Sequence, residues 1–277
     1  MSEIFTIKPL KTIDELKAMQ KLEIDTWGMD CIPTHQTLTA VKNGGIILGG
    51  YLGKQLIGFQ YSFPGFRNGE AYLCSHMLAI DSAYRGKGLG EQLKIAQKEE
   101  ALKKGYKLVS WTFDPLETAN AKLNVGKLNA ICNTYIENCY GEMEGTLTSG
   151  LATDRFQVEW YITSDYVKNK QDFLSYKPIH IATVASHDSN FPIIDWFDVH
   201  VLDNVDKDEA IYVPITTQFQ QMKNEHLDLA SDWRMKTRQI FTILFEKDFV
   251  LVDVQREKNS SIQYYILVRQ DMVQIDR

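Results

Sequence analysis

The stretch "IDSAYRGKGLGEQLK", residues 80–94, constrains the fold more than any other part of this chain. It places Gly86, Gly88 and Gly90 between an apolar run ending near Ile80 and a helical pattern of Leu89, Leu93 and Ala96. The apolar run reads as a strand from about Ala71 to Ile80, and the helix is ended by Gly105. A second buried strand follows in "YKLVSWTF", residues 106–113, and is stopped by Asp114-Pro115. Strand, helix and strand in that order require a parallel crossover. Hairpins elsewhere are antiparallel, so the sheet is expected to be mixed.

Three glycines in five residues carry an entropic cost that a plain helix start does not require. A Walker A loop would need Ser or Thr after Gly-Lys, but Gly88 follows Lys87. A dinucleotide fingerprint would need its third glycine at Glu91. What fits is a nest of backbone N–H groups at a helix N-terminus, built for a phosphate-type anion, with Arg85 and Lys87 adding charge.

Around this centre, Thr12-Ile13-Asp14-Glu15 reads as a capping box, followed by an apolar stripe of Ile13, Leu16, Met19 and Leu22. "GGIILGGYLGKQLIGFQYSF" reads as two strands turning at Gly53-Lys54. After Pro115 the pattern predicts a helix through Tyr135, with Cys132 and Cys139 on one buried stripe, then strands at 141–148 and 155–163. Residues 165–207 carry apolar stretches among Ser, Asp and Asn. "AIYVPI" reads as a strand and 217–246 as one long helix with Phe219, Met222, Trp233, Ile240 and Leu244 on one side. "FVLVDVQ" and "QYYILV" read as a closing hairpin. The order over 210–269 loosely echoes 106–163, which hints at a degenerate internal repeat.

Composition narrows the partners. Net charge is −6, against a broad nucleic-acid surface, so the cations near Arg85 point to a small anion. No run reaches the about 18 apolar residues of a membrane span, and no signal peptide is visible. Four sparse cysteines without a CxxC pair fit a reduced, cytoplasmic protein. His180, His187, His200 and His226 have no ligand-like spacing, so no metal is expected.

Arg85-Gly86-Lys87-Gly88-Leu89-Gly90, after "MLAIDSAY", resembles the Q/R-x-x-G-x-G/A loop of the GNAT acyltransferase superfamily. The element order to residue 165 is similar to that family's, and "SHMLAID", "WTFDPLETANAKLN" and "TDRFQVEW" resemble a subgroup of predicted acetyltransferases with a C-terminal extension. The resemblance implies an α/β (α+β) fold with a mixed, mostly antiparallel sheet flanked by helices. It also implies an acyl-CoA-binding catalytic domain at 1–165 and a smaller α+β domain at 166–277, expected to be a degenerate GNAT-like half. The second domain is expected to shape the acceptor side or a homodimer contact. The activity implied is N-acyl transfer from acetyl-CoA or another short acyl-CoA to an amine or amino-acid acceptor, with no nucleic-acid or membrane partner. A rival reading is a catalytically idle CoA-binding module.

The resemblance also assigns residues. Met77, Leu78, Ala79 and Ile80 would supply backbone N–H groups for the oxyanion, and Arg85 to Gly90 would hold the pyrophosphate. "TYIENCYG" resembles the family's tyrosine segment, making Tyr135 the general acid to the departing thiolate or else a core tyrosine. Leu128 stands where the family usually has asparagine seven residues earlier, with Asn124 and Asn129 nearby. His76, placed by alternation with Cys74, Leu78 and Ile80, is a candidate base or a structural histidine. Asp114 is a candidate base or a helix cap, and Asn120 a partner for the pantetheine amides or part of a helix start. Glu23 and Trp27 are candidates for the acceptor pocket, with core packing the alternative for Trp27. Arg155 is a candidate for an acceptor carboxylate or a surface salt bridge.

Overall fold

A computed structural model describes residues 4–28, 31–141, 150–256 and 258–275. The chain forms two compact units: Met1–Trp111 with Tyr161–Thr163, and Thr112–Trp160 with Ser164–Arg277.

The first unit runs β1 (Phe5–Pro9), α1 (Ile13–Trp27), α2 (Thr34–Lys42), β2 (Ile46–Leu52), β3 (Gln55–Arg67), β4 (Glu70–Ile80), α3 (Leu89–Lys103) and β5 (Leu108–Phe113), the last crossing into the second unit after Trp111. Its strands are ordered β1-β2-β3-β4-β5, antiparallel except for β4 and β5. The capping box forms as the sequence predicts: Glu15 N donates to Thr12 Oγ1, and Glu15 Oε2 accepts from Thr12 N. Leu16, Met19 and Leu22 are buried against Phe59, Tyr61 and Ala79, whereas Ile13 is exposed. β2 and β3 turn at Gly53-Lys54, with Gly53 at φ +54. β1 and α2 escaped the sequence reading, being short and weakly patterned.

In β4 the alternation of faces breaks once. Tyr61 pairs with Met77 and Ser62 with Ser75, so His76 is an extra residue in a β-bulge. His76 therefore does not share a face with Leu78 and Ile80. Met77 and Ala79 belong to the α1 layer. Leu78 lies against Gly90 of α3, and Ile80 and Leu93 of α3 flank Gly58.

The second unit continues with α4 (Thr118–Ala121), a π-type turn over Lys122–Lys127, β6 (Ile131–Ile136) and β7 (Arg155–Tyr161). Then come α5 (Asp165–Lys168), β8 (Lys177–His180), β9 (Ala182–Ser186), β10 (Pro192–Phe197), β11 (Glu209–Thr216), α6 (Phe219–Glu225), α7 (Leu227–Glu246), β12 (Phe249–Arg256) and β13 (Ile262–Arg269). Strands run β7-β6-β12-β13-β11-β8, antiparallel except for β11 and β8, with β9 and β10 as a separate hairpin.

Several expectations need correction here. The helix expected through Tyr135 stops near residue 127; "ICNTYI" is strand β6, because Asn129 turns the chain at φ +54 and the following Ile, Cys, Thr and Tyr favour a pleated surface. Cys132 is thus buried in a strand while Cys139 is half-buried in the turn beyond, so they share no helical stripe, and all four cysteines are free. The helix expected over 217–246 is two, broken at His226. The strand expected at 141–148 lies almost wholly outside the described residues. The units divide after residue 111 rather than 165 because 112–160 packs with the C-terminal segment: Leu251 pairs with Cys132, the Phe156 and Phe241 rings lie 4.7 Å apart, and Tyr265 donates to Pro115 O at 2.8 Å.

Candidate functional site

The glycine loop folds as an uncapped helix start. Gly86 and Gly88 both sit at φ +75, where L side chains are strained, and open space faces each missing Cβ. Gly88 is the N-cap of α3 and offers no side chain to the helix. The first intrahelical bond runs from Gln92 N to Gly88 O at 3.2 Å, so the N–H groups of Leu89 and Gly90 have no helix acceptor. That arrangement suits an anion such as a pyrophosphate. The two cations contribute less directly than their positions in sequence suggest. Arg85 Nε donates to Ile80 O at 3.0 Å, fixing the turn, and Lys87 Nζ lies 5.2 Å over the Tyr84 ring.

Upstream of the loop, β4 and β5 pair only at Leu73↔Val109 and Cys74↔Ser110. Beyond Cys74 the edge of β4 has no β5 partner, and alternate N–H groups over Met77 to Ile80 face the gap. His76 is exposed, with its ring against Phe63 and Tyr61 at 5.6 and 6.0 Å, and partial burial lowers its pKa. Glu23, on α1, is 3% exposed. Its Oε1 accepts from Ile32 N at 3.1 Å, while Oε2 has no partner among the described residues. Burial raises its pKa, opposed by the Ile32 N–H. Trp27 is half-buried and packs edge-on against Phe59 at 6.1 Å.

On the α3 side of β4 lies a cluster that sequence reasoning missed. Lys94 is 2% exposed; its Nζ donates to Ser75 Oγ at 2.8 Å and lies 3.4 Å from the centre of the Trp111 ring. Ser75 Oγ in turn donates to Gln97 Oε1 at 3.3 Å. Gly90, Lys94, Gln97 and Ala101 fall at helical spacing on one face of α3, a stripe too polar to read as core.

The remaining candidates lie in the second unit. Asp114 Oδ1 accepts from Leu116 N at 2.9 Å, as a cap would, and Oδ2 accepts from Arg234 Nη2 at 2.5 Å. Arg155 joins them, 3.7 Å from Asp114 Oδ2, and donates to Asp154 O at 3.0 Å. Asn120 is exposed on α4. Tyr135 donates to Asp154 Oδ2 at 2.6 Å, and Arg238 grips both oxygens of Asp154 at 2.8 Å. Burial first, then the bond to Asp154, pushes the Tyr135 phenol far above its ordinary value. Its proton is thus committed to a carboxylate. Among the described residues no group of three or more His, Cys, Asp or Glu could hold a metal. No described helix is long and apolar enough to cross a membrane.

A mixed, mostly antiparallel sheet with flanking helices, a glycine-rich helix start and an opened β4 edge define the class. Residues 13–123 match the model of the Acetyltransferase (GNAT) family. No curated protein matches the chain. Among solved structures, it is similar to a putative acetyltransferase from Salmonella typhimurium with its cofactor acetyl-CoA, at 15% identity and TM-score 0.48, covering 57% of this chain and 94% of that one. It is also similar to the ribosomal-protein-S18-alanine N-acetyltransferase of Escherichia coli, at 18% identity and TM-score 0.46, with coverages of 57% and 94%. An N-acetyltransferase from Staphylococcus aureus Mu50 shares 19% identity at TM-score 0.47, with coverages of 57% and 99%.

Proposed function

We propose that this protein is an N-acyltransferase that moves an acetyl or other short acyl group from CoA to the amine of a small acceptor such as an amino acid. The observation that carries the reading is the uncapped N-terminus of α3 directly after a β4 edge that opens beyond Cys74↔Ser110. The N–H groups of Leu89 and Gly90 receive the pyrophosphate. The pantetheine arm lies along the unpaired edge of β4, where N–H groups from Met77 to Ile80 hold the carbonyl oxygen as it becomes an oxyanion. His76 stands at the bulge beside that edge. Its lowered pKa favours the neutral imidazole, the form that takes a proton from an amine. Glu23 and Trp27 lie toward the acceptor in this reading.

Two measurements test it. Gly88→Val forces a β-branched residue to φ +75, a strain of about 1–3 kcal/mol that the loop relieves by leaving its cradle geometry. CoA affinity is expected to fall about tenfold or more with the circular dichroism spectrum unchanged; normal affinity would remove the loop from the site. Mass-spectrometric screening of amines and amino acids with acetyl- and succinyl-CoA then separates an enzyme, which turns over an acceptor, from a CoA-binding module, which turns over none.

A further inference from the structure

With the Tyr135 proton held by Asp154, the departing thiolate lacks a donor on that residue, and the buried cluster on α3 has donors to spare. Lys94 carries three N–H bonds, of which one meets Ser75 Oγ. Gln97 is fully buried, and its Nε2 has no partner among the described residues. No carboxylate lies within ion-pair distance of Lys94 among the described residues; its nearest companions are a hydroxyl and the face of Trp111. A cation and an amide nitrogen buried together, with surplus donors and no anion, form a place where negative charge is stabilised when it arrives. The cluster also sits where the sheet parts. Ser75 is the first β4 residue past the last β4–β5 pair, so the cluster adjoins the closed end of the gap.

We propose that Lys94, supported by Ser75 and Gln97, is the proton donor to the CoA sulfur that leaves in the transfer step. This rests on the CoA reading above, which lays the thioester along the same β4 edge. As the tetrahedral adduct collapses, the carbon–sulfur bond breaks and its electron pair goes to sulfur. One Nζ proton of Lys94 passes to that sulfur, giving the free thiol of CoA and a neutral amine. The amine is recharged by the proton released when the acceptor's ammonium is deprotonated. Burial pushes the Lys94 ammonium well below the usual lysine range, partly offset by Cys74, which eases the departure of its proton. Cys74, next to Ser75 on β4, acts on it electrostatically; Glu91 and Lys98 lie one turn away along α3; the β5 stretch Leu108–Trp111 carries no ionisable group.

The test needs no acceptor. The full-length protein is saturated with CoA, and the ultraviolet absorbance of the thiolate is followed against pH, with desulfo-CoA as the blank so that Cys74 cancels. Free CoA titrated in the same buffer is the reference. The bound thiol is expected to ionise at least about one pH unit lower, a tenfold gain in thiolate. Lys94→Met, close in volume, is expected to abolish that shift while CoA affinity at about pH 6, where the thiol is protonated in both, stays within about twofold, and Lys94→Arg to keep most of it. A wild-type thiol that titrates like free CoA, or a shift that survives in Lys94→Met, overturns the proposal. The wild-type titration decides this even if the variants do not fold. Calorimetry on the same sample separates the two ideas: no CoA binding overturns the CoA reading and this proposal together, whereas binding with an unshifted thiol overturns this one alone.

Discussion

The two units differ in how they treat buried charge, although among the described residues both keep unmatched polar atoms, such as Gln218 Oε1 and two nitrogens of Arg234 in the second. In the second, the buried carboxylates Asp154, Asp253 and Glu209 each face a cation, from Arg238, Lys170 and Lys177 respectively. In the first, Lys94 has no counter-charge among the described residues, Gln97 and Gln60 have unmatched amide atoms, and Glu23 keeps one bare oxygen. Neutralised burial is architecture: Asp154 ties β6 and the start of β7 to α7, and Glu209 ties β11 to β8. Burial left open costs stability and makes sense only where a ligand or a reaction supplies what is missing. The contrast in charge pairing is what the proposed site in the first unit would require.

The sharpest way to break that contrast is Asp154→Ala. It leaves Arg238 with Glu137 alone and strips the Tyr135 hydroxyl and Asn138 N of their acceptor, and urea titration is expected to show a loss of about 3 kcal/mol or more. The same network makes the second unit acid-sensitive. Burial pushes the Asp154 carboxyl up, but the Arg238, Asn138 and Tyr135 hydrogen bonds outweigh it and hold it below the usual carboxylate range. A depressed carboxyl gives stability that is present above the unfolded value and is lost as pH falls through the folded one. Hydrogen exchange in β6 and β7 is expected to quicken below about pH 4 for this reason. Tyr135→Phe removes one bond to a charged acceptor and is expected to lower stability by about 1.5–3 kcal/mol. If it loses stability without losing turnover, the tyrosine is structural.

In the first unit the signs reverse. Lys94→Met deletes an uncompensated buried cation and is expected to raise the unfolding free energy read by urea titration, by about 1 kcal/mol. In the wild type a depressed lysine means the unfolded chain binds the extra proton, so stability rises with pH toward about 10.4; the variant should lose that rise. The smallest effect expected is from Glu23→Gln, a gain under about 1 kcal/mol read by thermal melting, since it removes a half-satisfied buried charge. A substantial loss at either position would erase the distinction between the units.

The strand–loop–helix core was legible because three glycines and two apolar periods agree on one geometry. The capping box at Thr12, the turn at Gly53-Lys54 and the closing hairpin were legible for the same local reasons. Tyr135 was misplaced because its segment was read by motif, while Asn129 and the pairing of β6 with β7 and β12 decide its structure. The bulge at His76 leaves no trace in one strand's sequence; it exists only in the register with β3. Lys94 and Gln97 were missed because polar residues at helical spacing look like a solvated face, and only the Trp111 ring and Ser75 reveal that they are covered.

That bulge has an arithmetic consequence. Ser75 and Met77 oppose Ser62 and Tyr61, which are consecutive, so β4 would be a regular strand if His76 were absent. Shortening the chain by this one residue preserves every other side chain's orientation, the opposite of what a single deletion does elsewhere in a strand. His76 behaves as an insertion held in a finished sheet. A one-codon deletion, rather than a substitution, is therefore the cleanest way to separate what this imidazole and its kink do from what the rest of β4 does.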